Sequence, residues 1–213
     1  MANHTKHVST EWNNHLAYAI GLIATDGNLS PDLRHIELTS KDKEIIRIFK
    51  KILTLSNKIG RKARGGSKEK RYFRLQFGSK NFFTFLMSIG LSPAKSKTIG
   101  PLKIPRNYFP AFIRGCLDGD GNINEFHHPE SKLLQLSIRF VSASPAFLEW
   151  MLLKIQQIFK IKGGWIYENK GKSISTLSFG KRDGVRLLRR AYKNSGWYCL
   201  KRKRRIAAKY LGE

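Results

Sequence analysis

One pattern occurs twice in this chain. Tyr18-Ala19-Ile20-Gly21-Leu22-Ile23-Ala24-Thr25-Asp26-Gly27-Asn28 can be set beside Phe112-Ile113-Arg114-Gly115-Cys116-Leu117-Asp118-Gly119-Asp120-Gly121-Asn122. Glycine, aspartate, glycine and asparagine then fall in one register. Repetition on this scale means that each copy is a folding unit, and the pair builds the molecule. The likeness continues downstream. Ile36-Glu37-Leu38-Thr39-Ser40 lies opposite Ile138-Arg139-Phe140-Val141-Ser142, and Phe73-Arg74-Leu75-Gln76-Phe77-Gly78 lies opposite Ser175-Thr176-Leu177-Ser178-Phe179-Gly180.

Periodicity assigns the elements. Lys43 to Leu55 carries Ile45, Ile46, Phe49, Ile52 and Leu53 at helical spacing, and Pro145 to Phe159 does the same with Leu148, Met151, Leu152, Ile155 and Ile158. Asn81 to Ile89 and Asp183 to Tyr192 are amphipathic, while Tyr72 to Phe77 and Leu134 to Val141 alternate as half-buried strands do. Gly65-Gly66 and Asn169-Lys170-Gly171 suit hairpin turns. Ser92 to Pro110, with prolines at 93, 101, 105 and 110, predicts an extended linker rather than a long helix. The expected fold is α+β: two pseudo-symmetric αββαββα halves with antiparallel sheets, residues 1–100 and 101–213.

Small residues recur on the repeated helix. Ala17, Gly21 and Thr25 form one stripe and Ala111, Gly115 and Gly119 the other, four residues apart along a face. Such a face lets a second backbone come close, so the two helices are expected to pack on each other across a pseudo-twofold axis. Each copy then reads Asp-Gly, at Asp26-Gly27 and Asp120-Gly121. Glycine here is expected in the left-handed conformation that ends helices. A carboxylate beside a helix C-terminus faces the negative end of the dipole, and parallel pairing brings two such carboxylates together. Divalent cations relieve both penalties, and oxygen ligands with open water positions suit Mg²⁺.

Charge narrows the partner. The net charge is +25, from 40 Lys and Arg against 15 Asp and Glu. Self-repulsion of that size calls for a polyanion, with nucleic acid ahead of an anionic membrane. No apolar stretch approaches a membrane span and no signal peptide is evident. Two cysteines, Cys116 and Cys199, form no C-x-x-C pair, which argues against a disulfide framework or zinc ribbon.

Gly21-Leu22-Ile23-Ala24-Thr25-Asp26-Gly27 and Gly115-Cys116-Leu117-Asp118-Gly119-Asp120-Gly121 resemble two LAGLIDADG motifs. The resemblance covers most of the chain and implies the single-chain, two-motif homing endonuclease fold: a monomer with an internal pseudo-dimer. It implies a site-specific double-strand DNA endonuclease that cuts across the minor groove and leaves short 3′ overhangs. Asp26 and Asp120 would be the metal-binding acids, with Thr25 and Gly119 beside them, and Mg²⁺ the cofactor (Mn²⁺ or Ca²⁺ substituting in binding). The match departs at Ala24, which replaces the motif's first acid; Asp118 keeps it and carries no catalytic assignment.

The resemblance also implies a lysine late in each half. Lys95 is the candidate in Leu91-Ser92-Pro93-Ala94-Lys95-Ser96, and Lys203, preferred over Lys201, is the candidate in Leu200-Lys201-Arg202-Lys203. Such a cation stabilises phosphorane charge or orients water. Glu37 and Arg139 occupy positions that hold polar residues beside the metal water in related enzymes, and their opposite charges make the two sites inequivalent. The polar sheet faces are the expected reading surface in the major groove. They comprise Arg34, Tyr72, Arg74 and Gln76 in the first half, and Gln135, Ser137, Arg139, Thr176 and Ser178 in the second. Arg61, Lys62, Arg64, Lys68, Lys70, Arg71, Lys170 and Lys172 flank turns and suit phosphates. The target is therefore long, asymmetric duplex DNA. The alternatives are a maturase acting on intron RNA or a cleavage-inactive DNA binder on this scaffold, and a generic RNA-binding protein.

Overall fold

The computed structural model describes residues 8–63, 69–130, 132–169, 171 and 173–212. Its first half runs α1 (Asn14–Asp26), β1 (Gly27–Leu29), β2 (His35–Ser40), α2 (Lys43–Ile52), β3 (Gly60–Lys62), β4 (Tyr72–Gly78) and α3 (Lys80–Ser88). The second runs α4 (Phe109–Asp118), β5 (Asn122–His127), β6 (Leu134–Ser142), α5 (Pro145–Phe159), β7 (Trp165–Glu168), β8 (Ser175–Phe179) and α6 (Lys181–Tyr192). A short helix with no first-half counterpart, α7 (Lys201–Ala208), follows. Each half contains one four-stranded antiparallel sheet, in the orders β1-β2-β4-β3 and β5-β6-β8-β7.

The register repeats as the sequence does. Glu37 pairs with Asn28 and Gln76, and Arg139 pairs with Asn122 and Ser178. On the inner faces, Ile36, Leu38, Leu75 and Phe77 pack with Ile45, Phe49 and Phe82, and Leu136, Ile138, Leu177 and Phe179 with Leu148, Ile155 and Leu187, in one continuous core. Local signals set the helix starts. The Asn13 side chain accepts from Leu16 N and that of Ser79 from Phe82 N, as N-caps do, and Pro145 occupies the first turn of α5.

Two expectations are corrected here. The segment between the halves is not extended as far as Pro110: a 3₁₀ turn spans Arg106–Tyr108, and Pro110 lies in the first turn of α4, where its missing N–H costs nothing. Gly27 is extended, with φ −84° and ψ 149°, and neither it nor Gly121 has positive φ. These glycines answer a steric demand instead. A Cβ on Gly27 would lie 2.6 Å from the Cα of Ile23, and one on Gly121 would lie 2.6 Å from that of Leu117.

Candidate active site

The two motif helices meet along their whole length. Leu16 to Ala24 of α1 and Ala111 to Asp118 of α4 are all buried, so both helices are core on every side. Their closest approach is glycine against glycine. A Cβ on Gly21 would lie 2.3 Å from Phe112 O, and one on Gly115 would lie 2.2 Å from Tyr18 O, which leaves no room for any side chain. The small-residue stripes thus form the seam between the halves.

Pairing carries both C-terminal ends to one place. A Cβ on Gly119 would lie 2.3 Å from the Thr25 hydroxyl and 3.0 Å from Asp26 Oδ2, so the Asp26 carboxylate lies against the opposite helix's end. Asp120 lines a cleft of about 450 Å³ together with Thr25 and Lys95 from the first half. Strand β1 begins directly after Asp26 and β5 two residues after Asp120, which puts each carboxylate at the edge of its own sheet.

The lysines complete the arrangement. Lys95 is 6% exposed and Lys203 is 4% exposed, whereas Lys201 is exposed, so Lys203 is the buried member of the second pair. Lys95 Nζ donates to Gly27 O at 2.5 Å, and Lys203 Nζ donates to Gly121 O at 2.6 Å, the matching carbonyl of the repeat. Lys203 also donates to the carbonyls of Leu117, Asp118 and Gly119, covering the groups that the end of α4 leaves unpaired. Burial pulls the Lys95 ammonium down from 10.5 to about 8, against the attraction of Asp26 and Asp120. Burial likewise brings Lys203 to about 8, with Asp118 and Asp26 among the charges opposing it.

Lys95 gives a prediction with two signs. Its folded-state pKa lies below its ordinary value, so folding disfavours the charged form. That penalty is complete below pH 8 and is relieved as pH rises toward 10.5. The shift corresponds to about 3 kcal/mol, and loss of one hydrogen bond offsets about 1 of that. Lys95→Met is expected to stabilise the protein by about 2 kcal/mol at pH 7 and not at all above pH 10.5. It should also slow any reaction that needs the cation by roughly 10- to 100-fold. Denaturant melts across that pH range, with a rate assay at pH 7, check both.

Asp118 has a different task. Its carboxylate is fully buried and accepts from Tyr18 Oη at 2.9 Å, Tyr192 Oη at 2.5 Å and Leu200 N at 2.8 Å. Burial pushes its pKa up, and the three donors oppose that. It joins α1, α4, α6 and the start of α7, away from the cleft. The sequence showed its departure from the repeat (Ala24 in the first half) but not its partners.

The sheet faces separate the remaining candidates. Arg34 is exposed in the turn before β2, and Tyr72, Arg74 and Gln76 share the outer face of the first sheet. Glu37 lies on that face too, but its carboxylate is held by Lys62 at 2.6 Å and Arg74 at 3.5 Å. Arg61 is on the other face, over the ring of Phe73. In the second sheet, Gln135 is half-buried and Arg139 exposed, while Ser137, Thr176 and Ser178 are buried. Alternation places these three on the outer face correctly. Their short side chains lie beneath longer neighbours, and Phe126, Val141, Trp165 and Tyr167 take the exposed positions there. Arg64, Lys68, Lys170, Lys172 and the Gly65-Gly66 turn lie outside the described residues.

The acids and carbonyls present fit a hard cation. Among the described residues no three His, Cys, Asp or Glu side chains group around one point. Two carboxylates beside an open cleft leave positions for water and phosphate oxygens, the ligand set Mg²⁺ favours. The Thr25 hydroxyl already donates to Gly21 O and Leu22 O within its own helix. No helix among the described residues is long and apolar enough to cross a membrane.

Comparison with known proteins agrees with this architecture. Residues 13–90 match the family described as a LAGLIDADG-like domain. No curated protein sequence matches the chain. Among solved structures, I-DmoI, crystallised with DNA and Ca, is 16% identical with a TM-score of 0.56, covering 84% of this chain and 89% of its own. The I-SmaMI LAGLIDADG homing endonuclease bound to cleaved DNA is 11% identical with a TM-score of 0.59, covering 97% and 89%. Full-length DUF199/WhiA from Thermatoga maritima is 17% identical with a TM-score of 0.58 over 96% of this chain, which spans 62% of that protein's length. Residues 13–90 are thus similar to a LAGLIDADG-like domain, and the chain as a whole has the fold of these LAGLIDADG structures, built twice around one helix pair.

Proposed function

We propose that the protein is a site-specific, metal-dependent endonuclease acting on double-stranded DNA. The observation that carries this reading is the convergence, at one end of the helix seam, of one carboxylate and one buried lysine from each half. Fold alone does not carry it, because DUF199/WhiA shares the fold and function resides in sites. I-DmoI and I-SmaMI, which share it too, were crystallised with DNA.

In this reading Asp26 and Asp120 would hold Mg²⁺. The ion would supply Lewis-acid stabilisation of the attacking and leaving oxygens. The protein's own groups do the rest. Lys95 and Lys203, each fixed by carbonyls at a helix end, place positive charge where the phosphorane develops. The two outer sheet faces grip the duplex, and their basic side chains account for affinity through phosphates. Because Arg74 and Gln76 in one half face Arg139, Trp165 and Tyr167 in the other, the site read is asymmetric.

The test is selection for cleavage from a randomised duplex library in Mg²⁺, with Ca²⁺ in parallel. A single long asymmetric site should be enriched among cut molecules. If nothing is cut in Mg²⁺ or Mn²⁺ while one duplex sequence is still bound tightly, the protein is a binder on this scaffold and the endonuclease reading fails.

A further inference from the structure

The opposite end of the helix pair carries a second, strongly positive site. Because α1 and α4 run parallel, their N-terminal ends come together roughly 20 Å from the acids, at 1.5 Å per residue along 13 residues. There a pocket of about 250 Å³ is lined by Asn14 and Ala111 from the first turns of the two helices, and by Arg114, Arg189, Arg190 and Lys193. Among the described residues no acidic one lines it. Both helix dipoles present their positive ends to it.

Arg114 is the independent indication of a ligand. It is 3% exposed. Its Nη1 donates to Ala191 O at 2.5 Å, and its guanidinium stacks near the rings of Tyr198 (4.5 Å) and Tyr18 (5.5 Å). Its Nε and Nη2 have no hydrogen-bond partner, and among the described residues they are the only buried side-chain nitrogens or oxygens in that state. A buried guanidinium with two idle donors is costly, and the planar pair Nε and Nη2 matches two oxygens of one tetrahedral anion.

We propose that this pocket is a phosphate-binding site, separate from the cleft that holds the acids. Arg114 supplies the forked contact, Arg190 and Lys193 close over the anion from α6 and the segment after it, and the paired helix ends supply the field. A phosphodiester of a nucleic-acid backbone and a free phosphate or pyrophosphate share the required chemistry. The volume admits a pyrophosphate but not a folded polyanion, so a polymer would enter by a single phosphate.

The experiment is titration of the full chain with pyrophosphate by calorimetry, at an ionic strength fixed with chloride. One saturable event is expected, with a rise in Tm as pyrophosphate increases. In the Arg190→Ala/Lys193→Ala double variant, the Kd should weaken at least tenfold and the Tm rise should vanish, with the untitrated Tm close to that of the parent. Arg114→Met should remove the event altogether; if it does not fold, the surface double variant still decides. A single-stranded oligonucleotide competitor separates the sources. Displacement of pyrophosphate identifies a backbone phosphate as the ligand, and persistence identifies the free anion. The proposal is overturned if no saturable event occurs, or if the double variant binds pyrophosphate as tightly as the parent, which would put the anion elsewhere on this basic surface.

Discussion

Asp26→Asn and Asp120→Asn are each expected to reduce DNA cleavage by about a thousandfold or more while leaving duplex binding within about threefold. Among the described residues the two carboxylates are the only acids at the meeting point of the helix ends and the cleft, and none there offers the proposed metal a substitute ligand of that charge. The amide keeps the shape and hydrogen-bonding reach of the acid but loses its charge. Each acid also lies at the negative end of its own helix, so neutralising it should hold or raise Tm by a degree or two, in line with a dipole effect of about 0.3–1 kcal/mol. Rate, binding and melting measured together separate a lost catalytic group from a damaged fold. A variant that cuts at the parental rate would end the endonuclease proposal at that residue.

Gly115→Ala is expected to have the largest effect on stability, about 4 kcal/mol or more, with a fall in Tm near 10 °C. The added methyl would lie 2.2 Å from the carbonyl oxygen of Tyr18 and 3.0 Å from the Cα of Gly21. Both are backbone atoms that no rotamer change can move, so the helices must separate. That shift also carries Asp26 away from Asp120, and cleavage should fall with stability. Gly180→Ala is the control. Its φ of −76° suits any residue and its Cβ would meet nothing within 4 Å, so its effect should stay within about 0.5 kcal/mol. Urea melts of the two variants decide the matter, and equal midpoints would contradict a glycine-dependent seam.

The parts of this architecture that were legible in the sequence are those governed by periodicity and repetition. The Gly21 and Gly115 stripes, the span of α5 and the matched strands could be read because each is a local pattern that burial later enforces. Lys203 was separable from Lys201 in burial only, which depends on where α7 docks. Ser137, Thr176 and Ser178 show the limit of alternation: it names the face of a strand but not the length of the neighbours that cover it. The conformation of Gly27 shows a second limit. Asp-Gly after a helix carries a left-handed expectation, yet the demand came from the Ile23 backbone, which only the folded turn reveals. Arg114 and Asp118 were invisible as partners of Tyr18 because contacts between distant segments leave no local trace.

The Asp118 cluster couples integrity to chemistry on one side only. Leu200 N, one of its three donors, immediately precedes the helix that delivers Lys203, and that helix is also tied to the other half by Arg202 and Asp42 at 2.9 Å. Lys95 sits in a separate segment, the turn after α3, where the Ile99 carbonyl accepts from Ser144 Oγ of the other half at 2.5 Å. Peeling away of the last helix would therefore disarm one half-site and spare its twin. On the proposed activity, partial unfolding would turn a double-strand cutter into a nickase before it became inert.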